Sequence, residues 1–200
     1  MRLRKLQRSA LDFVVRSFPS LGLDRRAESF VRCFEDKLPE RSSILDVGGG
    51  WGFYAGPVKK RGHSLTVLDV VRPGVQKAPV VLYEGGRFPF ADKSFDVVFL
   101  ITVLHHIADP EKVIREAHRV TRRLVVLVED LYHHATGRWW TVLRDQIFNF
   151  EFFGHPKMFK KREEWLKVFR QEGFSLVEEQ ALRTRLAGFG ILNGIFLFKP

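Results

Sequence analysis

Apolar and polar positions follow two different periods along the chain. Residues 3–18 place Leu3, Leu6, Ala10, Phe13, Val14 and Phe18 at helical spacing. Residues 24–38 do the same with Ala27, Phe30, Val31, Phe34 and Leu38 behind Asp24 as a cap. Short apolar runs then take over, at 43–47, 64–70, 79–84, 95–101 and 123–130, the lengths of buried strands. Helical stretches separate several of them. In the clearest, Asp109 caps, Pro110 takes the first helical position, and Val113, Ile114, Ala117 and Val120 form one face. This alternation predicts an α/β fold, a doubly wound, mostly parallel sheet with helices on both faces. Beyond residue 130 the pattern changes. An aromatic segment, 131–159, precedes a helix over 161–172 that Gly173 closes. The last stretch reads as two antiparallel strands joined through a glycine-containing connection.

Composition narrows this to one domain. The chain has 200 residues, 45% of them hydrophobic, enough for a single packed core. No apolar run approaches the roughly 20 residues that span a bilayer. The basic start of the chain lacks a long apolar stretch and a small-residue cleavage site, so a signal peptide is not expected. A single cysteine, Cys33, excludes an internal disulfide and fits a reducing, cytoplasmic setting. The net charge of +10 suits an anionic partner, whether nucleic acid, phospholipid head groups or an acidic metabolite; it equally serves solubility.

The candidate chemistry begins at Ile44–Gly52, where a buried strand carrying Asp46 runs into Gly48, Gly49, Gly50 and Gly52. In a doubly wound sheet, ligands bind beyond the carboxyl ends of the strands. A loop there turns sharply and brings backbone N–H groups to the ligand, which glycine allows. Two ligands compete. Residues 50–55 satisfy G-x-G-x-x-A, and Asp69 lies close to the ~20 residues further on that a dinucleotide site requires. Asp46, however, would repel a pyrophosphate and favour a cation. S-adenosylmethionine, whose reactive half carries a sulfonium and an ammonium, fits that description.

Asp46, Gly48, Gly50 and Gly52 resemble the D-x-G-x-G-x-G motif of the class I S-adenosylmethionine-dependent methyltransferases. The stretch 83–120 resembles that of members acting on small molecules, quinones or lipids. The resemblance covers roughly residues 40–130, with a weaker echo over 155–178. It implies a Rossmann-like fold and S-adenosylmethionine as cofactor. It implies that Asp69, followed by Val70, holds the ribose hydroxyls, that Glu84 accepts from the adenine amine, and that Gly85 offers a backbone N–H beside it. It also implies that Leu100 and His105 line the methionine side. Two features depart from the family. The segment 70–79 has two prolines where a helix is usual, and residues 120–126 replace the glycine turn before the fifth strand.

Methyl transfer from a sulfonium is an in-line displacement in which alignment supplies most of the gain. A base is needed only when the nucleophile carries a proton. Candidates near strand ends are His105, His106, Glu129, Asp130, His133 and His134, with His105 and His106 first because they follow the strand that borders the methyl group in the family. No metal is expected, because neighbouring histidines on an extended segment point opposite ways and no H-E-x-x-H or cysteine cluster exists. Trp139, Trp140, Phe148, Phe150, Phe152, Phe153 and Phe159 suit either a substrate lid or a helix packed on the sheet edge. The first helix, with Arg2, Arg4, Lys5, Arg8 and Arg16, suits closure over the cofactor, or peripheral contact with an anionic membrane. The expected partner is a small-molecule methyl acceptor. The competing readings are a nucleic-acid methyltransferase, although no appended module or N-P-P-Y signature is present, a cofactor-binding protein without turnover, and an NAD-binding protein.

Overall fold

The computed structural model describes residues 22–132, 158–186 and 189–200, with scattered positions between 137 and 146. The helical pattern at 3–18, His133, His134, Trp140 and most of the aromatic segment lie outside the described residues, as does the connection at 187–188. In chain order come α1 (Leu23–Phe34), a 3-10 turn (Glu35–Lys37), β1 (Ser43–Val47), α2 (Ala55–Lys59), β2 (Ser64–Asp69), β3 (Val80–Leu82) and β4 (Phe95–Ile101). A second 3-10 turn (Leu104–His106), α3 (Pro110–Val120), β5 (Thr121–Asp130), α4 (Arg162–Gln171), β6 (Ser175–Leu186) and β7 (Phe189–Lys199) follow.

The strands form one seven-stranded sheet in the order β3-β2-β1-β4-β5-β7-β6. β1 pairs in parallel with β2 and β4, β2 with β3, and β4 with β5. β7 runs antiparallel to both β5 and β6, the expected C-terminal pair. Strand alternation divides the core in two. Leu45, Val47, Val98 and Leu100 face α3 and α4, where Trp165 and Phe169 are fully buried and Phe169 stacks on Phe198 with centroids 4.3 Å apart. Ile44, Val97, Phe99 and Val126 face α1, where Phe30 and Phe34 are fully buried. Burying a phenylalanine side chain stabilises by about 1.5–3 kcal/mol, so these rings hold the helices to the sheet.

Local chemistry explains several boundaries. Asp109 accepts from the Lys112 N–H at 3.3 Å and Pro110 opens α3, as the pattern predicts. α3 passes into β5 with no residue between. The Thr121 hydroxyl donates to the Ala117 carbonyl at 2.5 Å, satisfying a helix-end carbonyl, and no glycine turn is needed. The proline-containing 70–79 segment forms no helix. Gly173, at φ 89°, ends α4.

Other boundaries need correction. Asp24 is not the cap of α1; Gly22 is, and Asp24 sits in the first turn and pairs with Lys77. The helix also stops at Phe34 and tightens into a 3-10 turn before Leu38. β3 is only three residues long, and β2 stops at Asp69, leaving Val70 outside. β5 begins two residues earlier than its apolar run, at Thr121.

Candidate functional site

The sheet order reverses between β1 and β4, and the loops from their carboxyl ends meet there. Gly48 has φ 68°, and a Cβ on it would stand 2.2 Å from Val103 Cγ2, so the β1 loop and the β4 loop are in direct contact. Just before Val103, Thr102 holds φ 50°, an unfavourable conformation for a β-branched residue, and its N–H donates to Val128 O at 2.7 Å.

The glycine loop wraps two carboxyl groups. Asp69, buried at the end of β2, accepts from Gly50 N–H through Oδ2 and from Val71 N–H through Oδ1, both at 3.0 Å. Asp46 is 1% exposed, and its Oδ2 has no hydrogen-bond partner among the described residues. A Cβ on Gly49 would stand 2.1 Å from that oxygen, so the carboxyl lies directly beneath the loop. Burial, reinforced by the charge of Asp69, pushes Asp46 up to about 8. Asp46 is therefore held toward its neutral, protonated form.

Val70, 51% exposed, stands on the rim next to Asp69. A Cβ on Gly85 would lie 4.0 Å from Val70 Cγ1, which brings the loops after β2 and β3 together. Glu84 and Gly85 are exposed beside it. Arg119 of α3 buckles the following loop by donating to Phe88 O and Phe90 O at 3.1 and 2.9 Å while bonding Glu116 and Asp92. Leu100 is fully buried, with its side chain in the core beneath the edge, paired with Leu127.

Glu129 and Asp130 end β5 and point to opposite faces, as strand alternation requires. Glu129 Oε1 accepts from Leu104 N–H at 2.9 Å, and its Oε2 lies 2.5 Å from His105 Nδ1. The Phe159 ring lies on the His105 ring at 4.4 Å and 21°, and Met158 N–H donates to His105 O at 3.1 Å. His105 and His106 do not diverge as on an extended segment. They sit in a 3-10 turn with ring centroids 4.1 Å apart. No group of three metal-ligating side chains occurs among the described residues.

On the α1 face, Asp130 accepts from Asn193 Nδ2 at 2.6 Å, and the Thr184 hydroxyl donates to Asn193 Oδ1 at 2.7 Å. Arg26 reaches Thr184 Oγ1 at 3.4 Å, comes within 3.6 Å of Asp130, and stacks over Phe30. Burial holds the Tyr54 phenol far above its usual range; Arg26 opposes this, while Asp46 and Asp130 add to it. Of this cluster only Asp130 was among the sequence candidates; Asn193, Thr184, Arg26 and Tyr54 were not. A polar Asn193 inside an otherwise apolar strand was its one visible signal.

Residues 45–128 match the family described as a methyltransferase domain. A protein of Mycobacterium sp. (strain JLS) described as an uncharacterized methyltransferase is 36% identical over 95 residues, covering 44% of this chain and 37% of that protein. The demethylmenaquinone methyltransferase of Renibacterium salmoninarum is 30% identical over 136 residues, covering 64% of this chain and 57% of that protein. The chain thus spans 37% to 57% of the length of these relatives. Among solved structures, the Burkholderia thailandensis 1,6-didemethyltoxoflavin-N1-methyltransferase with bound 1,6-didemethyltoxoflavin and S-adenosylhomocysteine shares the fold. Its TM-score is 0.69 at 14% identity, covering 98% of this chain and 86% of that one.

Proposed function

We propose that this chain, whose residues 45–128 match a methyltransferase domain, is a class I S-adenosylmethionine-dependent enzyme that transfers a methyl group to an aromatic, quinone-like or lipid-like small molecule. The observation that carries the reading is the buried Oδ2 of Asp46 beneath the glycine loop, which has no partner among the described residues. A buried carboxyl oxygen without a partner costs stability unless a ligand completes it, and a cation does so best.

The residues present fit the cofactor. Asp46 takes the cationic half, and the backbone of Gly48, Gly50 and Gly52 leaves room for close approach. Asp69 is the acceptor for the ribose hydroxyls, while Val70 and Gly85 form an apolar rim for adenine with Glu84 at its edge. Leu100 backs the methionine side from the core, and His105 borders it. When bound, the cofactor supplies a methyl group on a positively charged sulfur. The chain aligns the acceptor and excludes water. His105 and His106 are the candidates for taking a proton from it. The name of the demethylmenaquinone relative supports a quinone-like acceptor.

Isothermal titration tests the reading. S-adenosylmethionine and S-adenosylhomocysteine should bind in the micromolar range, with NAD far weaker. Asp69→Ala should weaken the cofactor tenfold or more, because each hydrogen bond to a charged acceptor contributes roughly 1.5–3 kcal/mol. Tight NAD binding with none of the sulfonium compound would overturn it.

A further inference from the structure

β6 is an edge of the sheet, and its outer side pairs with no strand among the described residues. It runs for twelve residues, about 40 Å of extended backbone. A row of N–H and C=O groups of that length is a template for another strand. A register shift between Leu176 and Glu178 interrupts its start, and from Glu178 to Leu186 the register with β7 is unbroken. Alternation sorts the side chains. Glu178, Gln180, Leu182 and Thr184 take the α1 face: Glu178 pairs with Lys37 at 3.1 Å, the Gln180 amide donates to Cys33 O, and Arg26 reaches Thr184. Glu179, Ala181, Arg183 and Arg185 take the other face and are exposed. Arg162 donates to both oxygens of Glu179, at 2.5 and 2.6 Å. Arg183 and Arg185 make no ion pair among the described residues.

Charges on an edge strand ordinarily deter pairing. Those of β6 are ordered, acids first and bases last: Glu178 and Glu179 precede Arg183 and Arg185. A parallel copy in register would set like charges side by side, whereas an antiparallel copy sets opposite ones. Paired about Leu182, each Glu179 stands opposite the second copy's Arg185, each Gln180 opposite Thr184, and Leu182 opposite Leu182. A carboxylate has about four lone-pair sites, so Glu179 can hold Arg162 and this further guanidinium together. Arg183, opposite Ala181, lies diagonal to the same carboxylate, within reach of a long side chain. We propose that β6 is a self-recognition edge, at which two copies of this chain pair antiparallel through residues 178–186 and join their sheets into one. The two-fold axis stands perpendicular to the sheet near Leu182. Rotation about it points the carboxyl ends of β1 and β4 in opposite directions in the two copies. Neither copy covers the other's glycine loop, and both proposed cofactor sites stay open.

Sedimentation velocity of the full chain over a range of micromolar concentrations tests the pairing. The unaltered chain should pass from monomer to dimer as concentration rises. Arg185→Glu sets acid opposite acid at two places and should raise the dimer dissociation constant roughly tenfold or more, since juxtaposed like charges suppress association. Glu179→Arg should do the same with bases. Mixed in equal amounts, the two variants should associate again, because each strand then meets its opposite charges. A chain that stays monomeric throughout overturns the proposal. So do variants that self-associate like the unaltered chain, and a mixture that does not associate. Should either variant unfold, hydrogen exchange on the unaltered chain still decides. Amides within 178–186 should exchange several-fold more slowly in the dimer than in the monomer, because outward N–H groups gain partners across the new ladder. A dimer whose β6 amides exchange as they do in the monomer is joined elsewhere and overturns the proposal.

Discussion

Asp46 and Gly49 compete for one space. The Asp46 carboxyl, 1% exposed, fills the volume where a side chain on Gly49 would begin, since a Cβ there would stand only 2.1 Å from Oδ2. The glycine after the first strand is therefore there for the aspartate, as well as for the turn.

Gly49→Ala should displace Asp46, because a buried side chain has no solvent to swing into. Overpacking of this kind costs about 1–3 kcal/mol. Cofactor affinity should fall at least tenfold, and a thermal melt paired with cofactor titration reads both effects. Unchanged values in both would show that the loop yields and that Asp46 is not held by this contact.

Asp46 also makes stability depend on pH. Burial raises it from 3.8 to about 8, so the folded chain keeps a proton that the unfolded chain sheds. The stabilising contribution of that proton is complete below 3.8 and is lost as pH rises to about 8. Asp46→Asn cannot lose it. The variant should gain stability over the unaltered chain between pH 5 and pH 9, in urea midpoints measured at both. Binding of the cationic cofactor near pH 7 should release up to one proton, visible as a buffer-dependent heat. Parallel midpoints and a buffer-independent heat would count against a protonated Asp46.

His63 acts on the acid side. Its Nδ1 accepts from Ser42 N–H at 3.1 Å, joining the starts of β1 and β2, and burial with help from Arg61 lowers it below 6.5. The neutral ring belongs to the folded state, so the stability it provides is present above 6.5 and declines as pH falls below that value. In His63→Gln the midpoint should change less between pH 7 and pH 5 than in the unaltered chain. Identical slopes would remove His63 from the account.

Trp139 separates packing from function in the aromatic segment. It is 65% exposed, so Trp139→Ala should change stability by no more than about 0.5 kcal/mol. If the ring contacts the acceptor, turnover should fall while the cofactor constant stays the same. A loss of stability as large as that of a core truncation, about 3–5 kcal/mol, would make it a core residue instead.

The features legible in the sequence are those that neighbouring residues decide together. β1 and β4 follow their apolar runs to the residue, Asp109 caps α3 as its spacing demands, and the prolines of 70–79 exclude a helix. The glycine string marked the sharp turn after β1 because Gly48, Gly50 and Gly52 take positive φ, which side chains with a Cβ rarely adopt. The tertiary structure decided whatever depends on residues distant in the chain. Asp24 lost the cap to Gly22 and gained Lys77; His105 met Glu129 rather than diverging from His106; and Arg26 met Asp130 and Thr184. Periodicity reports which face a residue occupies. What stands opposite that face, and so whether a carboxyl there keeps its proton, is set by the packing of strands far apart in sequence, since burial and nearby charge fix the cost of ionisation.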